Sequence, residues 1–205
     1  MAGAGNVAAA SDGGLDWSSP TTAEPETMKR ATYEDVLNAP ENKVAEILDG
    51  ELFLSPMLAP RDCVVHSGLL GSLGSARGGW WILPKPEVHL GEDVVVPDIG
   101  GWRREDVPIL PEAYFSVPPT WLCEVLAPTT ERFDRARKLR IYAAAGVAHA
   151  WLVTPADRTL EVLRLRDGAW TIVAVHCDSD TVRIEPFEAI ELELGRLWPA
   201  PPPAP

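Results

Sequence analysis

WLCEVLAPTTERFDRARKLRIYAAAGVAHAWLVTP, from Trp121 to Pro155, is the stretch whose reading decides the fold. WLCEVL is a short apolar run ended by Pro128, which predicts a compact strand. TTERFDRARKLRIYAAAGV then predicts a helix capped by Thr129 or Thr130 and closed by Gly146. HAWLVTP is a second strand. Strand, helix and strand make a βαβ unit, so the two strands run parallel. Period-two alternation sets Trp121, Cys123 and Val125 on one face of the first strand and Leu122, Glu124 and Leu126 on the other. A carboxylate thus sits inside an apolar strand. If buried it needs a cation or hydrogen-bond donors, or it takes up a proton; otherwise Glu124 faces solvent or pairs with an arginine.

Upstream, WWILPKPEVHLGEDVVVPDIGGW (Trp80 to Trp102) predicts two antiparallel strands joined at Gly91-Glu92-Asp93, with Pro84 and Pro86 marking an edge or a bend. Asp98 closes the VVVPD run; it is either a turn residue or a functional carboxylate. A two-residue loop puts Lys85 opposite it, while a three-residue loop puts Pro86 there with Glu87 on the diagonal. Further upstream, Asp49-Gly50 joins a hairpin through Ile47 and Phe53. KRATYEDVLNAP is a short helix capped by Thr32 and stopped at Pro40. Val65, Leu69, Leu70 and Leu73 recur at helical spacing between Arg61 and Ala76, ahead of Gly78-Gly79. Downstream, TLEVLRLRDGAWTIVAV supplies two strands turned at Asp167-Gly168. The fold class is therefore α/β with a mixed central sheet flanked by helices, an N-terminal hairpin and added C-terminal strands.

The chain has 205 residues, 46% hydrophobic and 23% charged, enough for one domain with a true core. Residues 1–27 hold Asp12, Asp16, Glu24 and Glu26 but no Lys or Arg, in an Ala, Gly, Ser, Thr and Pro setting expected to be a disordered leader. Met28 is a candidate second start. The domain is expected over 28–198, followed by a Pro-rich tail over 199–205. Cys63, Cys123 and Cys177 are odd in number and form no CxxC pair, which excludes a disulfide scaffold and points to a reducing, cytoplasmic setting. No segment reads as a signal peptide or a membrane span. The net charge is minus 12, and removing the four acids of the leader leaves minus 8. That balance argues against a dedicated nucleic-acid binder. Phosphate-loop and serine-elbow motifs are absent, and nothing suggests a sugar-stacking glycosidase.

On the helix after Glu124, Asp134 and Lys138 stand i,i+4, the spacing of an ordinary surface ion pair. Arg132, Arg135, Arg137 and Arg140 make that helix the best phosphate-facing candidate, with a solvated basic face as the alternative. His66, alone on its helix, reads as a packing or surface residue.

Taken together, the PD at Pro97-Asp98, the EVL-x-P turn after Glu124, the D-x-x-x-K helix with Tyr142 and Gly146, and the WLV-x-P strand resemble the Uma-two family of restriction endonucleases, a branch of the PD-(D/E)XK superfamily. The likeness runs from the ILDGELFLSP hairpin to Trp198. It implies a restriction-endonuclease-like core in which Asp98, Glu124 and the backbone carbonyl of Val125 hold Mg²⁺ or Mn²⁺. Lys138 would replace the motif lysine, because Leu126 stands two residues after Glu124. Glu87 would add a further acidic group, and Glu46 is a weaker candidate. Ala127 stands where the family usually has Ser, and Asp62 stands near a common His. The resemblance implies metal-dependent hydrolysis of DNA phosphodiester bonds, with a homodimer as a possible state. The alternative is a catalytically weak module on the same scaffold that binds a protein or nucleic-acid partner.

Overall fold

Short turns with forced backbone geometry set the strand pairing. Asp49 and Gly50 both take positive φ, 58° and 81°, as a tight two-residue hairpin turn demands. They join β1 (Lys43–Leu48) to β2 (Glu51–Pro56). Asp167 and Gly168 do the same, at 49° and 76°, between β9 (Thr159–Arg166) and β10 (Ala169–Cys177). The computed structural model describes residue 1 and residues 30–74, 78–127, 131 and 134–199. Residues 2–27 of the expected leader, Met28, Arg132, the Thr129 and Thr130 caps, and residues 200–205 of the tail lie outside the described residues.

The two strands expected around Gly91 are four in the structure. β3 (Trp80–Pro84) pairs with β6 (Ile99–Arg103), and β4 (Val88–Leu90) pairs with β5 (Asp93–Val95). The loop is the two-residue one, since Leu90 faces Asp93 across Gly91-Glu92, and the same register holds from there to Trp80 facing Arg103. What divides the ladder is proline. Pro84, Pro86 and Pro97 have no N–H to donate, and Lys85 between the first two takes φ 45°. β4 and β5 join the first hairpin in a four-stranded sheet ordered β2-β1-β5-β4. β3 and β6 join a six-stranded sheet ordered β10-β9-β8-β7-β6-β3, in which β7 (Trp121–Val125) and β8 (His149–Thr154) are the parallel pair. Asp98 lies in the break between the two sheets.

The alternation in β7 sorts two cores. Trp121, Cys123 and Val125 pack with Val65, Leu69 and Leu73 of α2 (Pro60–Leu73) and with the C-terminal segment through Leu194 and Leu197. Leu122 and Leu126 pack on the other face with Leu139, Ile141 and Tyr142 of α3 (Leu139–Ala144). Each buried Leu or Val contributes roughly 1.5–3 kcal/mol. Gly100 leaves room for the Trp102 ring of its own strand and for Pro86: an added Cβ would lie 2.7 Å from the ring and 2.8 Å from Pro86. α1 (Tyr33–Leu37) is capped as expected, the Asp35 carboxylate accepting the Thr32 N–H at 2.7 Å. α2 stops earlier than expected, at Gly74 with φ 55°, rather than at Gly78-Gly79.

The helix after β7 is not a plain α-helix. Asp134–Lys138 is π-helical and leads directly into α3. Such an inserted residue is rare and recurs at functional sites. Among the described residues, no helix is long and apolar enough to cross a membrane.

Candidate metal centre

Glu124 and Val125 end β7, and Asp98 immediately precedes the antiparallel β6, so the topology brings both carboxylates to one end of the sheet. Each accepts a backbone N–H from the other's strand end. The Val125 N–H donates to Asp98 Oδ2 at 2.6 Å, and the Asp98 N–H donates to Glu124 Oε2 at 3.3 Å. Both residues are buried, Glu124 with 2% of its surface exposed. They line a cleft of about 280 Å³ together with Glu46, Asp62, Lys85, Asp134 and Lys138, under the chain from Ser55 to Ala59.

Lys138 is the hub. Its ammonium lies 2.9 Å from Glu124 Oε1, 3.0 Å from Glu46 Oε1 and 3.7 Å from Asp134 Oδ1, and donates to the Val96 carbonyl at 3.2 Å. The surface pair suggested by the Asp134 and Lys138 spacing is therefore a buried one. The π-helical turn carries both residues. Glu46 also accepts the Val96 N–H at 2.8 Å, which ties β1 to the strand leading to Asp98. Tyr142, one turn beyond Lys138, donates its hydroxyl to Glu124 Oε1 at 2.7 Å.

Lys85 completes the cluster by pairing with Asp98 Oδ1, the position opposite Asp98 that the two-residue turn requires. Its N–H donates to the Asp98 carbonyl, and that same oxygen is 2.8 Å from His66 Nε2. His66 thus backs the site rather than only filling the core.

The electrostatics follow from burial. Loss of water pushes the Glu124 carboxyl up to about 8, helped by the charges of Asp134, Asp98 and Glu46 and opposed by Lys138. Burial alone would lower Lys138, but Glu124 and Glu46 hold its pKa well above the ordinary value, so it stays an ammonium. Burial, then the Glu124 charge, raises the Tyr142 phenol, which stays a donor. Burial and the Asp98 charge raise Asp62. Among the described residues, five carboxyl groups thus face two ammonium groups in one cleft.

The donor set fits a hard divalent cation, though not a protein cage. Among the described residues no three His, Cys, Asp or Glu side chains converge closely enough to hold a metal. Mg²⁺ needs no such cage, since it commonly keeps several waters and binds through one or two carboxylates. Asp98 and Glu124 offer those, and the surplus of negative charge favours a cation.

Two expectations fail in space. Glu87 is not in the cleft: it accepts the Tyr33 hydroxyl and a bond from His89 Nε2, each at 2.8 Å. It belongs to β4's contact with α1, because the two-residue register gives the place beside Asp98 to Lys85. The basic helix face is not a free phosphate surface either. Arg135 pairs with Glu131 and Glu161, Arg137 with Glu51, and Arg140 with Asp49. The acids of the first hairpin and β9 take up these charges.

The profile of the family described as "Uma2: Putative restriction endonuclease" matches residues 19–195. Among solved structures, a crystal structure titled "a putative nuclease belonging to DUF820", from Anabaena variabilis ATCC 29413, shares the fold. It has a TM-score of 0.67 at 19% identity, and the match covers 82% of this chain and 97% of that one. Comparison with curated protein sequences gives no match.

Proposed function

The chain belongs to the Uma2 family, and from that membership together with the cleft we propose that it is an endonuclease that hydrolyses DNA phosphodiester bonds with a divalent metal ion. The observation that carries this reading is the meeting of Asp98, just ahead of β6, and Glu124, in β7, in one acidic cleft beside a buried lysine.

Asp98, Glu124 and the Val125 carbonyl would hold Mg²⁺ or Mn²⁺, with waters. When bound, the ion polarises a non-bridging phosphate oxygen and acidifies the attacking water. The chain's own groups fix the geometry. The Val125 N–H orients Asp98, while Tyr142 and Lys138 orient Glu124, so neither carboxylate has to reorganise during reaction. Lys138, anchored by Glu46 and Asp134, sets a positive charge beside the reacting phosphoryl group. In the reaction a water oxygen bonds to phosphorus as the bond to the leaving ester oxygen breaks. The electron pair stays with that oxygen, which becomes protonated as the water gives up its proton. All three cysteines are free, which fits the cytoplasm as the site of action.

A second reading has one observation in its favour: the helix arginines are engaged by acids of this chain, as a partner-binding module with an idle nuclease scaffold would allow. Purified protein incubated with plasmid, single-stranded DNA and RNA in Mg²⁺, Mn²⁺ or EDTA separates the two. The nuclease reading expects cleavage that EDTA abolishes and that Asp98→Asn and Glu124→Gln each remove. Cleavage unchanged in those variants, or none on any substrate, refutes it.

A further inference from the structure

We propose that Lys85, beyond its place as the counter-ion of Asp98, is the residue of the cleft that binds the scissile phosphate. The inference rests on the nuclease reading above and adds to it a substrate-contacting residue.

Two ammonium groups line the cleft, and they are not equivalent. The Lys138 side chain is 4% exposed and held by three carboxylates and a carbonyl, so moving it would leave several buried charges unpaired. The Lys85 side chain is 28% exposed and, among the described residues, has one partner acid, Asp98. It therefore has both access to solvent and a low barrier to changing partner.

Its backbone is fixed where its side chain is not. Lys85 stands between Pro84 and Pro86 with φ 45°, a conformation that costs a non-glycine residue about 1 kcal/mol or more. A glycine or asparagine would adopt it more readily. The Lys85 N–H bond to the Asp98 carbonyl, at 2.9 Å, pins this kink against the site. A strained position that carries a long cationic side chain into an acidic cleft is a poor structural device, because the same turn could be made without it.

The position also defines a competition. The Asp98 oxygen that Lys85 engages belongs to the carboxylate offered to a metal ion, whose other oxygen is taken by the Val125 N–H. A carboxylate that holds a divalent cation would hold an ammonium less strongly, which would leave the partly exposed Lys85 side chain free to turn toward the open side of the cleft. There its three donors suit a phosphate oxygen. Lys85 would then exchange the Asp98 carboxylate for a phosphate.

This gives a signature that a merely structural lysine would not show: metal and phosphate affinity move in opposite directions when Lys85 is removed. Lys85→Met keeps the length of the stem and the backbone requirement. Mn²⁺ binding, followed by electron paramagnetic resonance without substrate, is expected to tighten about tenfold as the competing charge is lost. Binding of a short fluorescent single-stranded DNA in Ca²⁺ is expected to weaken about tenfold. Lys85→Arg, which restores the cation, is expected to recover most of the DNA binding. Weaker Mn²⁺ binding in Lys85→Met, or unchanged DNA binding, overturns the assignment even if the native site binds metal. If Mn²⁺ binding in the native protein is the same as in Asp98→Asn, the nuclease reading itself fails first.

Discussion

Replacing Lys138 by Met removes a single buried charge and leaves three carboxylates facing one another. In the native protein Glu124, Glu46 and Asp134 lie 2.9, 3.0 and 3.7 Å from its ammonium, and Lys138 itself is only 3% exposed. Breaking a buried ion pair by removing one partner costs about 3–5 kcal/mol, because the remaining charge has neither water nor a counter-ion. For a chain of this size each kcal/mol moves the melting temperature by about 2–4 °C, so a drop of roughly 6–20 °C is expected at pH 8 without metal. The loss depends on pH in a definite direction. The Glu124 carboxyl is already raised in the folded state, to about 8 from an ordinary 4.5. Its neutral form therefore favours folding below the unfolded value, and that contribution disappears as pH rises through about 8. Without Lys138 the carboxylates can relieve their repulsion only by taking up protons, so Lys138→Met is expected to lie closer to native stability at pH 5 than at pH 8. Urea unfolding followed by tryptophan fluorescence at the two pH values measures both effects. A variant within about 1 kcal/mol of native at pH 8 refutes the reasoning, since it means that water already reaches the cluster.

Other substitutions probe the rest of the site. Tyr142→Phe leaves the ring in the core but removes the donor to Glu124 Oε1; a loss of about 1.5–3 kcal/mol is expected by denaturation at pH 9, where Glu124 is ionised, as for a hydrogen bond to a charged group. Gly100→Ala forces a methyl against Trp102 and Pro86; calorimetry should show a loss of about 1–3 kcal/mol, with any fall in metal binding secondary to it. Glu87→Gln changes a residue outside the cleft; plasmid assays should find metal-dependent cleavage within about threefold of native, less than 1 kcal/mol in barrier.

Much of the architecture was legible because local rules agreed with one another. The Asp49-Gly50 and Asp167-Gly168 turns, the alternation of WLCEVL and the parallel βαβ pairing all appear as the sequence predicts. The division of one long hairpin between two sheets was less visible. Prolines announce a break but not which sheet each half will join. In the site, alternation marked Glu124 as anomalous, but it could not tell that Glu46, far away in sequence, would share its lysine. The Asp134 and Lys138 spacing suits a surface pair equally well, and only the π-helical turn and the covering hairpin bury it. Lys85 and Glu87 exchanged importance over one residue of loop length, a choice that Gly91-Glu92-Asp93 left open until the register was seen. The helix arginines misled because their partners come from other elements, and charge density along one helix does not reveal them.

Titrating Mg²⁺ into the native protein, Asp98→Asn and Glu124→Gln by calorimetry tests the site most directly. The expected result is binding of a divalent ion by the native chain that weakens at least about tenfold in each variant, as carboxylate ligands of a hard cation require. Equal Mg²⁺ binding by all three proteins would contradict the account, whatever else the fold proves able to do.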